Sequence, residues 1–122
     1  MTNKNKPYKL LIVDDSLLLQ TRLKKAISEK DNSIDIRQAF NCAEAIHLFS
    51  DFKPDKVILD IALPDGSGLE LLRKFKKENP EVVQVIFTNY PIDEFKRICF
   101  QMGSDYFIVK SDLNSLLNSF KD

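Results

Sequence analysis

The chain has 122 residues, and its 18 Lys and Arg balance its 18 Asp and Glu, so its formal net charge is zero. The length suits one domain, and 43% hydrophobic with 30% charged residues is a globular composition rather than a disordered one. The balanced charge argues against a basic nucleic-acid surface, and the chain has no apolar run long enough for a membrane anchor. Two cysteines are too few for a disulfide framework, so a cytoplasmic protein is expected.

The first half of the chain contains three predicted strands and two predicted helices. Residues 1–7 are polar and end in a proline, which predicts a disordered tail before a domain over 8–122. Two apolar runs and, between them, one alternating segment are typical of strands, at 8–13, 34–40 and 56–61. Apolar residues at helical spacing predict one helix from Ser16 to about Glu29 and a second that starts at Asn41, a preferred N-cap residue.

The second half adds two predicted strands and three predicted helices. Ser67 and Glu70 have the spacing of a capping box that opens the third helix. The two strands are expected over 82–87 and 105–109. Pro91 suits the first turn of the fourth helix, whose inner face is predicted to hold Ile92, Phe95, Ile98 and Met102. The last helix carries an apolar stripe of Leu113, Leu116, Leu117 and Phe120.

Alternating strands and helices predict an α/β fold, in which a parallel sheet is covered by helices on both faces. Crossover connections are right-handed, so both faces are covered only if the winding reverses direction within the sheet. Ligands bind beside such a reversal, at the carboxyl ends of the strands. We therefore expect a single domain with its functional site at that edge.

Polar residues stand where the predicted strands end: Asp14, Asp15, Asp60, Thr88 and Lys110. Three carboxylates at one edge repel each other and raise the pKa of at least one, unless a cation intervenes. Oxygen ligands with incomplete protein coordination suit Mg²⁺, which shares its ligation with phosphates. A hydroxyl and an ammonium group opposite the carboxylates suit phosphoryl oxygens. The pattern therefore indicates a Mg²⁺-dependent phosphoryl site with an Asp nucleophile.

Each of these residues also has a simpler interpretation. Asp15 alone suits a helix N-cap, Thr88 alone an ordinary strand position, and Lys110 alone a surface charge. Asp60 is harder to explain in this way, because it follows an apolar strand and a buried ionised carboxylate is costly unless it is paired. It is the convergence of all five on one edge that favours the functional interpretation.

Four further residues are interpreted as structural. His47, the only histidine, is expected to be solvated on the second helix. Cys42 and Cys99 fall near inward helical faces and are expected to be small buried hydrophobes rather than redox sensors. Phe100 is expected at the edge of the core, with an exposed anchor for a partner as the alternative.

The chain resembles the receiver domain of two-component response regulators from Tyr8 to about Lys121. The resemblance rests on four segments: LLIVDDS (10–16), VILDIALPDGSGLELL (57–72), VIFTN (85–89) and GSDYFIVKS (103–111). It implies a flavodoxin-like (βα)₅ fold with strand order 2-1-3-4-5. Since it takes up nearly the whole chain, either a stand-alone receiver or the isolated receiver of a larger regulator is expected.

The resemblance also assigns the acidic residues. Asp60 matches the phospho-acceptor, which takes the phosphoryl group from a histidine kinase or a phosphotransfer protein. Asp15 matches a direct Mg²⁺ ligand, and Asp14 matches an acidic residue that acts largely through water. With Asp60, the backbone carbonyl of Ala62 would complete the protein ligands to Mg²⁺.

The remaining matches concern the switch. Thr88 matches the hydroxyl that hydrogen-bonds the phosphoryl group, and Lys110 matches the lysine that pairs with it. Phe107 falls at the switch aromatic, which turns inward as Thr88 moves. The output is expected through the surface of the fourth helix, the fifth strand and the fifth helix, toward a downstream protein, a fused output domain or a phosphorylation-dependent homodimer.

The chain departs from the common receiver pattern at three positions, and the first is Phe107, where Tyr is frequent. Ser111 stands where many receivers have a proline, so Ser111 or Asp112 is expected to cap the last helix. Asn89 stands where a small residue is frequent, and it is expected to narrow the access to Asp60.

Three function classes remain open at this stage. A phosphorylatable switch that is not an enzyme, apart from its own slow dephosphorylation, fits the complete set of site residues. A pseudo-receiver that never becomes phosphorylated is the alternative. A true phosphatase fits less well, because Ala62 stands two residues after Asp60, where an acid or base would be needed.

Overall fold

Strands and helices alternate along the computed structural model, which describes residues 6–89 and 93–120. The strands are β1 (Lys9–Val13), β2 (Asp35–Ala39), β3 (Lys56–Leu59), β4 (Ala62–Leu63), β5 (Gly66–Ser67), β6 (Val83–Thr88) and β7 (Tyr106–Val109). The helices are α1 (Leu17–Lys30), α2 (Cys42–Phe52), α3 (Gly68–Glu78), α4 (Asp93–Gln101) and α5 (Leu113–Asn118). Most of the predicted tail over 1–7, together with Pro91 and Ile92, lies outside the described residues.

Five parallel strands form the main sheet in the order β2-β1-β3-β6-β7. Counted along this sheet alone, the order is 2-1-3-4-5, which confirms the predicted flavodoxin-like topology. The chain reverses its winding direction between β1 and β3, so the carboxyl ends of these two strands border the switch point.

Two apolar clusters cover the two faces of the sheet. Successive side chains of a strand point to opposite faces, and in β1 Leu11 and Val13 face α2, α3 and α4, whereas Leu10 and Ile12 face α1 and α5. On the first face, the rings of Phe49 and Phe75 stack with their centroids 4.0 Å apart. β1 and β3 are therefore buried on both sides, which explains their unbroken apolar runs.

Side-chain caps define where the helices begin. The carboxamide of Asn41 accepts from the backbone N–H of Glu44, and the carboxylate of Glu44 accepts from the N–H of Phe40, which confirms the cap expected there. The hydroxyl of Ser67 accepts from Leu69 N–H rather than from Glu70 N–H. Asp112, not Ser111, caps α5.

The predicted inner faces of α4 and α5 are only partly correct. In α4 the buried side chain is Cys99, with Phe95 and Met102 half-buried beside it, and Ile98 is exposed. At about 100° per residue, Ile98 lies about 65° from the mean direction of positions 95, 99 and 102, at the margin of that face, whereas Cys99 lies about 35° from it. In α5 Leu116 is buried, whereas Leu113 is exposed at the first residue of this six-residue helix.

The β4–β5 hairpin was not predicted. Each of its strands has only two residues, which is too short for the alternation of apolar and polar residues that indicates a strand. The third predicted strand also ends earlier than expected, at Leu59, so that Asp60 is the first residue after it. Within 6–89 and 93–120, no helix is both long and apolar enough to cross a membrane.

Candidate functional site

The polar residues predicted at the strand ends lie at one edge of the sheet. Asp14 follows β1 and Asp60 follows β3, and these adjacent strands are in register, with Val13 opposite Leu59. The backbone N–H of Asp60 donates to the carbonyl of Val13 at 3.0 Å, which holds the two acidic residues side by side. Lys110 follows β7, two strands away from β3.

Lys110 links the two buried carboxylates. Its Nζ lies 2.8 Å from Asp14 Oδ2 and 2.9 Å from Asp60 Oδ2. Asp14 is 2% exposed and Asp60 is 7% exposed, so both would be costly as isolated charges. The ammonium group supplies the pairing that a buried ionised Asp60 requires.

The second oxygen of each carboxylate is bound by a backbone N–H group. Asp14 Oδ1 accepts from Ser16 N–H at 2.9 Å, and Asp60 Oδ1 accepts from Ile61 N–H at 2.8 Å. Each side chain is therefore held at both oxygens, which restricts its rotation. Such fixed charges are what a preorganised transfer site needs.

The pKa of Asp60 is raised, mainly because burial disfavours its charged form. The hydrogen bond and charge of Lys110 oppose this rise, and the charge of Asp14 adds to it. Repulsion between carboxylates, which the sequence led us to expect, therefore contributes to the raised pKa of Asp60 but less than burial does. Burial alone would lower the pKa of Lys110, but its bonds to Asp14 and Asp60 raise the pKa overall, so the lysine stays protonated.

Three carboxylates form a candidate cation site, here called the acidic cluster: Asp14, Asp15 and Asp60. One oxygen from each lies within 4.8 Å of the others, and Asp15 is exposed, so the cluster opens to solvent. Three carboxylates against the one ammonium of Lys110 leave an excess of negative charge. An all-oxygen donor set with this excess and an open side fits Mg²⁺, which keeps several of its waters.

The structure places the other predicted site residues near the same edge. Thr88 is the last residue of β6 and is fully buried, and its carbonyl accepts from Lys110 N–H at 2.8 Å. Phe107 in β7 is half-buried against the cluster under α2, α3 and α4. Ala62 is exposed in β4, and Asn89 is exposed just after β6. The roles assigned to these residues stay predictions.

Two residues at the site were missed in the sequence. Gln20 of α1 is fully buried, and its Nε2 lies 3.0, 3.1 and 2.9 Å from the carbonyls of Ile12, Asp14 and Ala39. It therefore joins the ends of β1 and β2 below the acidic cluster. The sequence did carry a signal for the burial of Gln20, because a residue three positions before the buried Leu23 lies on the same face of the helix.

Gly68 is the second residue that was missed. A Cβ at this position would lie 2.0 Å from the carbonyl oxygen of Asp60, so the first turn of α3 touches the backbone of Asp60 directly. A glycine just after the N-cap Ser67 was the available signal, since such positions often serve a close backbone approach.

The residues interpreted as structural have ordinary surroundings. His47 is exposed on α2 and Cys99 is buried, as expected, whereas Cys42 is only half-buried. Burial, with a smaller contribution from Asp65, raises the pKa of the Cys42 thiol to about 11, so this thiol is protonated and weakly reactive at neutral pH. Phe100 is exposed on α4, as the alternative interpretation required.

A model of the response regulator receiver domain family matches residues 10–121. The chemotaxis protein CheY of Listeria monocytogenes is 31% identical over 102 residues, which cover 84% of this chain and 85% of that protein. The transcriptional regulatory protein YdfI of Bacillus subtilis is 29% identical over 109 residues, which cover 89% of this chain and 51% of YdfI. The chain thus spans about half of one relative and most of the other.

Solved structures show the same similarity. A two-component response regulator from Clostridium difficile is 30% identical and superposes with a TM-score of 0.84, over 91% of this chain and 90% of that one. A CheY-like receiver domain protein from Methanospirillum hungatei JF-1 is 23% identical, with a TM-score of 0.80 over 93% of this chain and 96% of that one, and shares the fold.

Proposed function

The chain belongs to the response regulator receiver domain family, and on this premise we propose that it is a phosphorylation-dependent switch that accepts a phosphoryl group on Asp60. The donor is a histidine kinase or a phosphotransfer protein. The observation that carries the proposal is the ion-paired arrangement at the site, where Lys110 lies 2.8 and 2.9 Å from the carboxylates of Asp14 and Asp60 beside an open acidic cluster.

Two of the groups that the transfer uses, Asp60 and Lys110, are already in contact. A carboxylate oxygen of Asp60 forms a bond to phosphorus while the bond between phosphorus and the donor's imidazole nitrogen breaks, and the imidazole leaves with that electron pair. Mg²⁺ bound at the acidic cluster, with the carbonyl of Ala62 as a further ligand, would offset the charge of the phosphoryl oxygens. Lys110, already in contact with Asp60, pairs with one of these oxygens, and the hydroxyl of Thr88 bonds another.

The new charge supplies the switch. Phosphoryl oxygens compete with Asp14 for the ammonium of Lys110 and draw Thr88 toward Asp60. Phe107, half-buried in β7 against the apolar cluster under α2, α3 and α4, then turns inward. Phosphorylation shifts the equilibrium only by the difference in its interactions with the two states.

The output surface in this proposal consists of α4, β7 and α5. Large apolar side chains are exposed along these elements: Ile98, Phe100, Tyr106 and Leu113. A cavity of about 230 Å³ lies between α4, β7 and the start of α5, with Phe107 in its wall. A surface of this kind suits a downstream protein, a fused output domain or a second copy of the chain. In this proposal the protein acts in the cytoplasm and has no enzymatic role beyond slow loss of its own phosphoryl group.

Incubation with acetyl phosphate and Mg²⁺ tests the function. Intact mass measurement is expected to show one phosphoryl adduct on the wild-type chain and none on Asp60→Asn. Asp51→Asn, which changes an exposed carboxylate on α2, is the matched control and is expected to keep the adduct. A wild-type chain that stays unmodified would favour the pseudo-receiver, and rapid multiple turnover of acetyl phosphate would favour an enzyme.

An apolar patch beside the acidic cluster suggests where a protein donor docks. Leu17 is 70% exposed and Leu18 is 63% exposed, directly after the turn that carries Asp15. A donor histidine that reaches Asp60 brings its own helix or loop over this turn. We include the patch in the donor interface, because two large exposed leucines are otherwise unfavourable in water.

Serine at both positions separates docking from chemistry. Leu17→Ser with Leu18→Ser is expected to slow labelling by a phosphorylated histidine phosphotransfer protein by about 10-fold or more, because about 1 kcal/mol of apolar burial is lost per residue. Labelling by acetyl phosphate should not change. Ile46→Ser, at an exposed apolar position on α2, is the control. Equal slowing with both donors would contradict a docking role.

A further inference from the structure

The loop between β3 and α3 is tied to a second helix at its tip. Asp65 Oδ1 accepts from Cys42 N–H at 2.7 Å, and Asp65 Oδ2 accepts from Ala43 N–H at 3.1 Å. Cys42 and Ala43 are the first two residues of α2. One carboxylate from the loop therefore binds two of the N–H groups that a helix start leaves without intrahelical partners.

This contact adds to the cap that α2 already has. Asn41 binds Glu44 N–H, so Asn41 and Asp65 together satisfy three successive N–H groups of the first turn. The positive end of the helix dipole and these hydrogen bonds favour the charged carboxylate, and the bond from Cys42 N–H is the main cause that lowers the pKa of Asp65. Asp65 is thus the loop's anchor on α2.

The base of the same loop is fixed independently. The carbonyl of Ile61 accepts from Gly68 N–H at 2.7 Å, and Ala62 pairs with Ser67 across the hairpin. Near the tip, a Cβ on Gly66 would lie 3.1 Å from Cys42 Sγ, so the hairpin sits closely on α2. Ala62 lies between an anchored tip and an anchored base.

We propose that Asp65 is a positioning residue for the metal, because its bonds to α2 hold the hairpin so that the carbonyl of Ala62 completes the cation site with the acidic cluster. The inference rests on the proposed function, since it takes Ala62 as a Mg²⁺ ligand. Partners that orient metal ligands commonly change metal affinity by about 10–100-fold when they are removed. Asp65 is not one of the carboxylates that gather at the acidic cluster, so it acts through the backbone of the hairpin.

Calorimetric Mg²⁺ titration of the unphosphorylated chain tests the proposal. Asp65→Ala is expected to bind Mg²⁺ about 10-fold more weakly than the wild type. Asp65→Asn keeps one acceptor oxygen, so its Mg²⁺ affinity is expected to lie between those of the wild type and Asp65→Ala. This variant remains informative if Asp65→Ala does not fold. Asn41→Ala is the matched control, because it weakens the same helix start without releasing the loop. It should lower the thermal midpoint and leave Mg²⁺ affinity within about 2-fold of the wild type.

Asp15→Ala separates this inference from the proposed function. If wild-type binding is absent, or survives in Asp15→Ala, the metal site itself is wrong. If Asp15 is required but Asp65→Ala binds Mg²⁺ as tightly as the wild type, only the role of Asp65 is wrong. An equal loss of affinity in Asn41→Ala would also overturn it, because helix stability alone would then explain the effect.

Discussion

Replacement of Gly68 by alanine is expected to destabilise the protein by at least about 3 kcal/mol and to prevent phosphorylation of Asp60. The added Cβ would lie 2.0 Å from the carbonyl oxygen of Asp60, 2.9 Å from its carbonyl carbon and 2.9 Å from Ile61 Cα. All three atoms are backbone, so no side chain can rotate away. Relief requires a shift of either α3 or the segment that carries Asp60.

That segment has little freedom to shift. Asp60 N–H is bonded to the carbonyl of Val13, and Gly68 N–H is bonded to the carbonyl of Ile61. A displacement breaks one of these bonds and moves the Asp60 carboxylate away from Lys110. Stability and labelling should therefore fall together in this variant.

Urea unfolding and acetyl phosphate labelling measure the two effects. Gly66→Ala is the control, because its Cβ would meet Cys42 Sγ at 3.1 Å, the end of a side chain that can move. Gly66→Ala is expected to lower the free energy of unfolding by about 1 kcal/mol or less and to remain labelled by acetyl phosphate on Asp60. The steric explanation is wrong if Gly68→Ala and Gly66→Ala have the same urea midpoint and the same slope of the unfolding free energy against urea concentration.

The architecture was predictable because the apolar pattern and the turn residues agree along most of the chain. β1 and β3 are unbroken apolar runs that end in carboxylates, as expected of central parallel strands. The position of the acidic cluster follows from topology alone, because parallel neighbours bring their carboxyl ends to one edge. The acidic residues could therefore be placed together without any knowledge of side-chain packing.

Features that depend on tertiary contacts were not predictable. Helical spacing in α4 could not distinguish Ile98 from Cys99 as the buried residue, because the rotation of a helix on the sheet is set by its neighbours. The bonds of Gln20 to three carbonyls depend on the separation of β1 and β2. The close approach of Gly68 to Asp60 is likewise a property of the packed backbone.

The burial of Lys56 is a further feature that could not be predicted from the sequence. As the first residue of β3 it suits an exposed strand end, yet it is 1% exposed. Its Nζ donates to the carbonyl and the hydroxyl of Ser119, both at 2.8 Å, and lies 3.6 Å from the ring centroid of Phe120. Among residues 6–89 and 93–120 no carboxylate forms an ion pair with it. Burial therefore lowers the pKa of Lys56 to about 8.

Stability is expected to increase with pH between about 8 and 10.5 because of Lys56. In this window the unfolded lysine, with an ordinary pKa of 10.5, still binds a proton that the folded lysine has lost. The unfolded state binds more protons in this window, so a rise in pH disfavours it relative to the folded state. A pKa lowered from 10.5 to about 8 corresponds to about 3 kcal/mol across the full window.

Urea unfolding of the wild type and of Lys56→Met from pH 7 to 10.5 isolates this contribution. The wild type is expected to gain about 3 kcal/mol relative to the variant across that range, because Met has no titrating group and groups common to both chains cancel. Lys53→Met, at an exposed position in the same connection to β3, should follow the wild-type curve. Parallel curves for the wild type and Lys56→Met would mean that Ser119 and Phe120 compensate for burial and keep the ammonium charged in the folded chain.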